Sequence, residues 1–162
     1  MADIEETYTT RTFNSLPDLH HAQDSFISKG GPDLVNNVLR PLIVQHKLES
    51  ALGIGLLHRH FDLSGEEKLV EFNNISTPWK HQQGYNHTGG QILPCAWMID
   101  GNSLVPYEFY FSPLRRDTRI DFGVMTLFLE EFIRCIKDSG LDMVFVFFLT
   151  SVLLGRWKSL KE

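Results

Sequence analysis

The chain has few cysteines and no apolar leader at its start. Its 162 residues include only two cysteines, Cys95 and Cys135, which are too few for a disulfide scaffold. The first residues, MADIEETYTT, are acidic and polar, so they lack the basic and apolar regions of a secretory signal peptide. Together these absences predict a cytoplasmic protein with reduced thiols.

An excess of positive charge is also missing. The sequence has 15 Lys and Arg residues against 20 Asp and Glu residues, a formal net charge of −5. No cluster of Lys and Arg provides the basic stripe that nucleic-acid binding needs, so we expect no nucleic-acid partner. Hydrophobic residues make up 43% of the chain and aromatic residues 12%, which is enough for a folded core.

Long apolar runs are absent except near the C-terminus. Residues 143–155 contain only Thr150 and Ser151 as polar positions. A membrane-spanning helix needs about 20 apolar residues, which is more than this run supplies. We interpret residues 143–155 as part of a buried element, with a membrane tail anchor as the alternative.

Apolar residues spaced close to 3.6 apart predict two amphipathic helices. The first covers 33–48, with a kink or break at Pro41, and the second covers 123–139. Residues 1–30 are polar with scattered apolar positions, so we expect a flexible arm with one short helix at 17–28. The remainder, 31–162, is predicted to be a single domain.

Alternating polar and apolar residues predict the strands of a sheet. Asp100 and Gly101 favour a tight hairpin between two of these strands, and the first two strands are expected to form another hairpin. Residues 76–91 show no period and predict a long exposed loop. The predicted fold class is α+β, an antiparallel sheet of four to five strands covered on one face by two helices. The strands are expected at 51–61, 67–75, 92–99, 103–111 and, as a fifth, 143–150.

The string LLHRHFDL contains the first candidate site. In a strand, His58, His60 and Asp62 would project from one face, and imidazole with carboxylate suits zinc or iron. The same histidines could serve a small metal-dependent or Cys/His enzyme. The alternative is two structural histidines on a half-solvated sheet face, with no cofactor. Further metal ligands would come from Glu71, Glu108, His81 or His87.

Cys95 and two glutamates are further candidates for catalysis. A cysteine activated by histidine is a nucleophile, although the apolar string PCAWM around Cys95 favours a buried, inert thiol. Glu71 and Glu108 would form an acid–base pair if their strands brought them together.

Aromatic residues predict a binding surface. Trp79 and Tyr85 combine apolar area with a polar tip, and we expect them to contact a small molecule or a partner protein. Phe109 and Phe111 alternate with polar neighbours and are expected in the core.

The strings GLLHRHFDLSGEEKLVEFNN and PCAWMIDGNSLVPYEFYFSP carry a resemblance over about residues 30–140. The chain resembles a group of small, functionally uncharacterised proteins of filamentous ascomycete fungi, and LLHRHFDL and PYEFYFSP are specific to that group. The resemblance implies a fungal source and no mechanism. Because such proteins are often encoded among natural-product pathways, it also implies an accessory role in secondary metabolite biosynthesis by association.

The sequence therefore predicts a non-enzymatic binding or accessory protein that uses the open sheet face and the 76–91 loop. Two alternatives stay open. One is a small enzyme centred on His58 and His60, and the other is a tail-anchored membrane protein.

Overall fold

A six-stranded sheet organises the residues that the computed structural model describes, 8–73, 75–80, 91–112 and 125–149. The strands are β1 (Leu52–Leu56), β2 (Glu67–Phe72), β3 (Ile75–Lys80), β4 (Gln91–Asp100), β5 (Ser103–Ser112) and β6 (Phe145–Leu149). The helices are α1 (Thr10–Asn14), α2 (Leu19–Ser28), α3 (Gly31–Leu34), α4 (Arg40–Gln45) and α5 (Thr126–Asp138), and a π-helical turn (Val35–Leu39) joins α3 to α4.

The strand order is β1-β6-β4-β5-β2-β3. All neighbours are antiparallel except β2 and β5, which are parallel. The predicted α+β class is confirmed. The predicted sheet is wrong in detail, because it is mixed and has six strands rather than four to five.

The additional strand, β3, comes from residues that were expected to form a loop. Asn73 has a positive φ of 53°, which suits the tight turn that pairs Phe72 with Ile75. Beyond this turn Ile75, Thr77 and Trp79 alternate with polar residues and Pro78, a pattern that fits a strand. The predicted loop 76–91 is thus wrong over 76–80, and residues 81–90 lie outside the described part of the chain.

Strand β1 pairs with β6, and the predicted hairpin between the first two strands is wrong. Two glycines in β1 explain the close fit, because the ring of Phe148 lies over Gly53, where an added Cβ would be 2.3 Å from Cζ. The strand ends at Leu56, five residues earlier than predicted. His58 and His60 therefore lie in the connection that follows the strand.

Strand β6 accounts for the first half of the C-terminal apolar run. It lies between β1 and β4, and this central position was expected for a buried Val/Phe-rich strand. It is antiparallel to both neighbours. Residues 150–155 of that run lie outside the described residues. Among the helices that are described, none is long and apolar enough to cross a bilayer.

The β4–β5 hairpin is confirmed, with slightly longer strands than predicted. Gly101 has a φ of 59° in the turn between Asp100 and Ser103. The register shifts between Pro94 and Ala96, beside a proline that cannot donate to the ladder, which is typical of a bulge.

Helices α3, α4 and α5 cover one face of the sheet. The predicted kink at Pro41 takes the form of the π-helical turn, because proline provides no N–H for an α-helical bond four residues back. Beneath these helices the rings of Trp97 and Phe147 stack at 5.3 Å, and Phe132 of α5 meets Phe147 edge-on at 6.1 Å.

The opposite face is covered as well, in contrast to the predicted single covered face. Phe13 of α1 is 2% exposed and stacks on Tyr107 at 5.6 Å, and Leu16 is equally buried. Asn14 donates to the carbonyl of Leu63 and accepts from its N–H. Phe13 and Leu16, which belong to the expected flexible arm, are therefore packed against the sheet.

We predict that Phe13→Ala lowers the free energy of unfolding by about 3 kcal/mol, because it removes a buried aromatic side chain from this face. Ile27→Ala is the matched control, since Ile27 of α2 is 57% exposed, and it should change stability by less than about 0.5 kcal/mol. Urea denaturation followed by circular dichroism measures both. Equal, small effects would mean that the arm is not packed in solution.

Candidate functional site

His58 and His60 lie side by side in the connection after β1. Their Nε2 atoms are 3.0 Å apart, and the two rings are nearly perpendicular with centres 4.6 Å apart. Nδ1 of His58 lies 2.8 Å from the carbonyl oxygen of Leu56, which can only accept a hydrogen bond. Nδ1 therefore donates this hydrogen bond, so in the neutral ring Nε2 of His58 carries the lone pair.

The backbone around this pair is held on three sides. The N–H of Leu57 donates to the carbonyl of Val144 at 2.8 Å, and the N–H of Arg59 donates to Pro17 at 2.9 Å. The Tyr107 hydroxyl donates to the carbonyl of His58 at 2.6 Å. Burial raises the pKa of Tyr107, and nearby Glu108 raises it further, so the phenol keeps the proton that it donates.

Asp62, the third residue of the predicted metal set, has a different partner. Its carboxylate forms an ion pair with the Arg59 guanidinium, whose Nε also donates to the carbonyl of Leu16. Among the described residues, no group of three His, Cys, Asp or Glu side chains is close enough to hold one metal ion. His81 and His87, two of the suggested additional ligands, lie outside those residues.

Glu71 and Glu108 lie on the paired strands β2 and β5, close enough for the charge of Glu71 to act on Glu108, and their acid–base role stays a prediction. The hydroxyl of Ser76 donates to the Glu108 carboxylate, and Glu71 is paired with Ser76 in the β2–β3 register. The pKa of Glu108 is raised, mainly by burial. The hydrogen bond from Ser76 lowers this pKa, and the charge of Glu71 raises it. Sequence reasoning missed Ser76, because it was expected in a loop.

Cys95 lies at the same place on the sheet. Its thiol is 3.5 Å from the carbonyl oxygen of Glu108. Burial raises the pKa of Cys95 far above its usual range, and the charges of Glu108 and Glu71 raise it further. This environment favours the thiol, whereas a nucleophile must be a thiolate.

Four apolar side chains form what we call the aromatic surface: Phe72, Ile75, Trp79 and Phe111. The three ring centres are 5.6 to 6.0 Å apart, and Ile75 is the register partner of Phe72. Phe72 is 45% exposed and Ile75 is 64% exposed.

The structure separates the two phenylalanines that were expected in the core. Phe109 is fully buried, as predicted, but Phe111 is only half-buried and belongs to the aromatic surface. Trp79 was expected at a surface, and Tyr85 lies outside the described residues. The alternation of Ile75, Thr77 and Trp79 after Asn73 is the signal that could have revealed this surface.

We predict that Glu108→Gln raises the free energy of unfolding at pH 7 by up to about 1 kcal/mol, because it removes a partly buried charge. The raised pKa means that protonated Glu108 favours the fold below the ordinary value of 4.5, and that this contribution is lost as the pH rises. The gain should therefore vanish near pH 4. Urea denaturation at both pH values tests it, with exposed Glu66→Gln as control, and a gain independent of pH would contradict it.

We also predict that Cys95 reacts slowly with a thiol-specific disulfide reagent in the native protein. In Cys135→Ser, which leaves only Cys95, labelling at about pH 8 should be limited by opening of the fold and become fast in denaturant. In Cys95→Ser, the half-buried Cys135 should react faster. Native labelling of Cys95 at the rate of a free thiol would restore the hypothesis of a catalytic cysteine.

No protein-family model, curated protein or solved structure matches the chain. The resemblance to fungal proteins therefore stays a prediction. Any functional proposal depends on the geometry of the histidine pair, the Cys95–Glu108 cluster and the aromatic surface.

Proposed function

We propose that the protein is a non-enzymatic binding protein that docks a partner protein on its aromatic surface. The observation that carries this proposal is the joint exposure of Phe72 and Ile75 beside the rings of Trp79 and Phe111. Grouped, exposed apolar side chains mark interaction sites, and aromatic residues are enriched in the centres of protein interfaces. A partner that presents an apolar patch fits this chemistry.

The place of the groove that the described residues form favours a protein over a small molecule at the aromatic surface. Small-molecule sites are concave and enclose most of their ligand, whereas a strand face is broad and gently twisted. A groove of about 380 Å³ does exist, but Asn102 and Lys137 line it at the opposite end of β5 from Phe111. The aromatic surface is therefore suited to contact between two extended faces.

Pro78 favours docking through side chains over addition of a strand. Phe72 and Ile75 are register partners, and a pair that closes a short hairpin is expected to exchange hydrogen bonds. Alternation along the ladder would then put Pro78, the partner of Leu69, at a pair without them. The backbone nitrogen of Pro78, which carries no hydrogen, then faces the outer edge of β3, the last strand in the sheet order. An added strand would find no donor there.

The chemistry of Cys95 and Glu108 supports a binding role over a Cys/His enzyme. The pKa of each is raised, mainly by burial, so both groups shift toward their uncharged forms. A role in secondary metabolite biosynthesis follows from the sequence resemblance alone and stays a proposal. The tail-anchor alternative loses support, because Phe145–Leu149 forms a strand with neighbours on both sides.

Site-specific photo-crosslinking tests the proposed docking. A photoreactive phenylalanine analogue is placed at position 75 and irradiated in extracts of the cells that produce the protein. It should capture one partner protein. The same analogue at Leu127, an equally apolar and 69% exposed position on α5, should not capture that partner. The purified partner should then bind the wild-type protein directly. Trp79→Ala and Phe72→Ala should each weaken that binding by about tenfold or more, which is typical of aromatic anchors.

Leu127→Ala is the matched control for the binding assay and should leave the affinity unchanged. Equal capture from positions 75 and 127, or binding that tolerates both aromatic truncations, would contradict the proposal. Capture of a second copy of the chain would identify the partner as the protein itself.

A further inference from the structure

We propose that His58 and His60 form a two-imidazole chelate for a divalent transition-metal ion, with Cu²⁺ favoured. The proposal is independent of the aromatic surface and shares no residue with it. It also differs from a three-residue site, because Asp62 is held by Arg59.

The tautomer of His58 prepares it as a ligand. A metal-binding histidine usually donates its other ring N–H to a carbonyl or carboxylate, which fixes the ring and directs its lone pair. Nδ1 of His58 donates to the Leu56 carbonyl in this way, at 2.8 Å, and leaves Nε2 to bind. Nε2 of His60 lies 3.0 Å away.

The separation of the two nitrogens matches neighbouring positions around one metal ion. With metal–nitrogen bonds of about 2.05 Å, nitrogens 3.0 Å apart subtend an angle of about 94° at the metal. Neighbouring ligands in square-planar or octahedral geometry subtend about 90°, whereas a tetrahedral ion would need nitrogens about 3.3 Å apart. Square-planar and tetragonal nitrogen sites are typical of Cu²⁺ and Ni²⁺.

The relative orientation of the rings fits the same arrangement. Ring centres about 3.2 Å from a shared metal would be about 4.7 Å apart at this angle, and the observed separation is 4.6 Å. A straight N–H···N hydrogen bond between the rings would separate their centres by about 5.3 Å instead. The observed separation is therefore compatible with two nitrogens that share one ion, and it is shorter than a straight hydrogen bond would give.

Access and rigidity also suit a metal site. His60 is exposed and His58 is half-buried, so an ion can enter and keep water on its other positions. The hydrogen bonds of Leu57, Arg59 and Tyr107 hold the backbone on both sides of His58. Such a preformed pair needs little ordering on binding.

The test is titration of the untagged protein with Cu²⁺ at pH 7.5, followed by calorimetry and electron paramagnetic resonance. We expect one equivalent to bind, with a spectrum that shows coupling to two imidazole nitrogens. His58→Ala and His60→Ala should each weaken binding by at least about tenfold.

The control is the double variant His20→Ala/His21→Ala, which removes two adjacent, exposed histidines of α2 and should leave the Cu²⁺ affinity unchanged. Circular dichroism spectra of all variants should match the wild type. Loss of binding in both single variants, with retention in the double variant, supports the site. Any other pattern, including equal binding by all variants, overturns it.

Discussion

Strand β6 is the constraint on which the rest of the structure depends. It pairs with β1 on one side and β4 on the other, and the ring of Phe147 stacks on Trp97 in the main core. This pairing also determines where β1 ends, since the N–H of Leu57 bonds to the carbonyl of Val144 just before β6. The geometry of the histidine pair therefore depends on a strand about 90 residues further along the chain.

Local signals in the sequence predicted the elements that local contacts determine. The α5 helix and the β4–β5 hairpin were both expected, because helical periodicity and a turn glycine act within a few residues. The β1–β6 pairing and the parallel β2–β5 pairing were missed, because alternation shows that a segment is a strand but not which strand it joins. Strand β3 was missed for another reason: Pro78 argues against a strand, but an edge tolerates it.

The sequence predicted which residues belong to the candidate site but not how they are arranged in space. In a strand, His58 and His60 would have projected from one face, about 6.5 to 7 Å apart at the backbone. They approach to 3.0 Å because the chain has left the sheet and is bonded to the N-terminal segment through Arg59. The proximity of Glu71 and Glu108 likewise comes from a parallel pairing between strands that are distant in sequence.

The Cys95–Glu108 cluster, the histidine pair and the aromatic surface have different environments. Burial raises the pKa of both Cys95 and Glu108, and the charge of neighbouring Glu71 adds to each. The cluster therefore favours the thiol of Cys95 over a reactive thiolate. The proposed metal binding involves the histidine pair, and the proposed partner recognition involves the aromatic surface. Because these two sets share no residue, a variant that abolishes metal binding should leave partner binding intact, and the reverse should also hold.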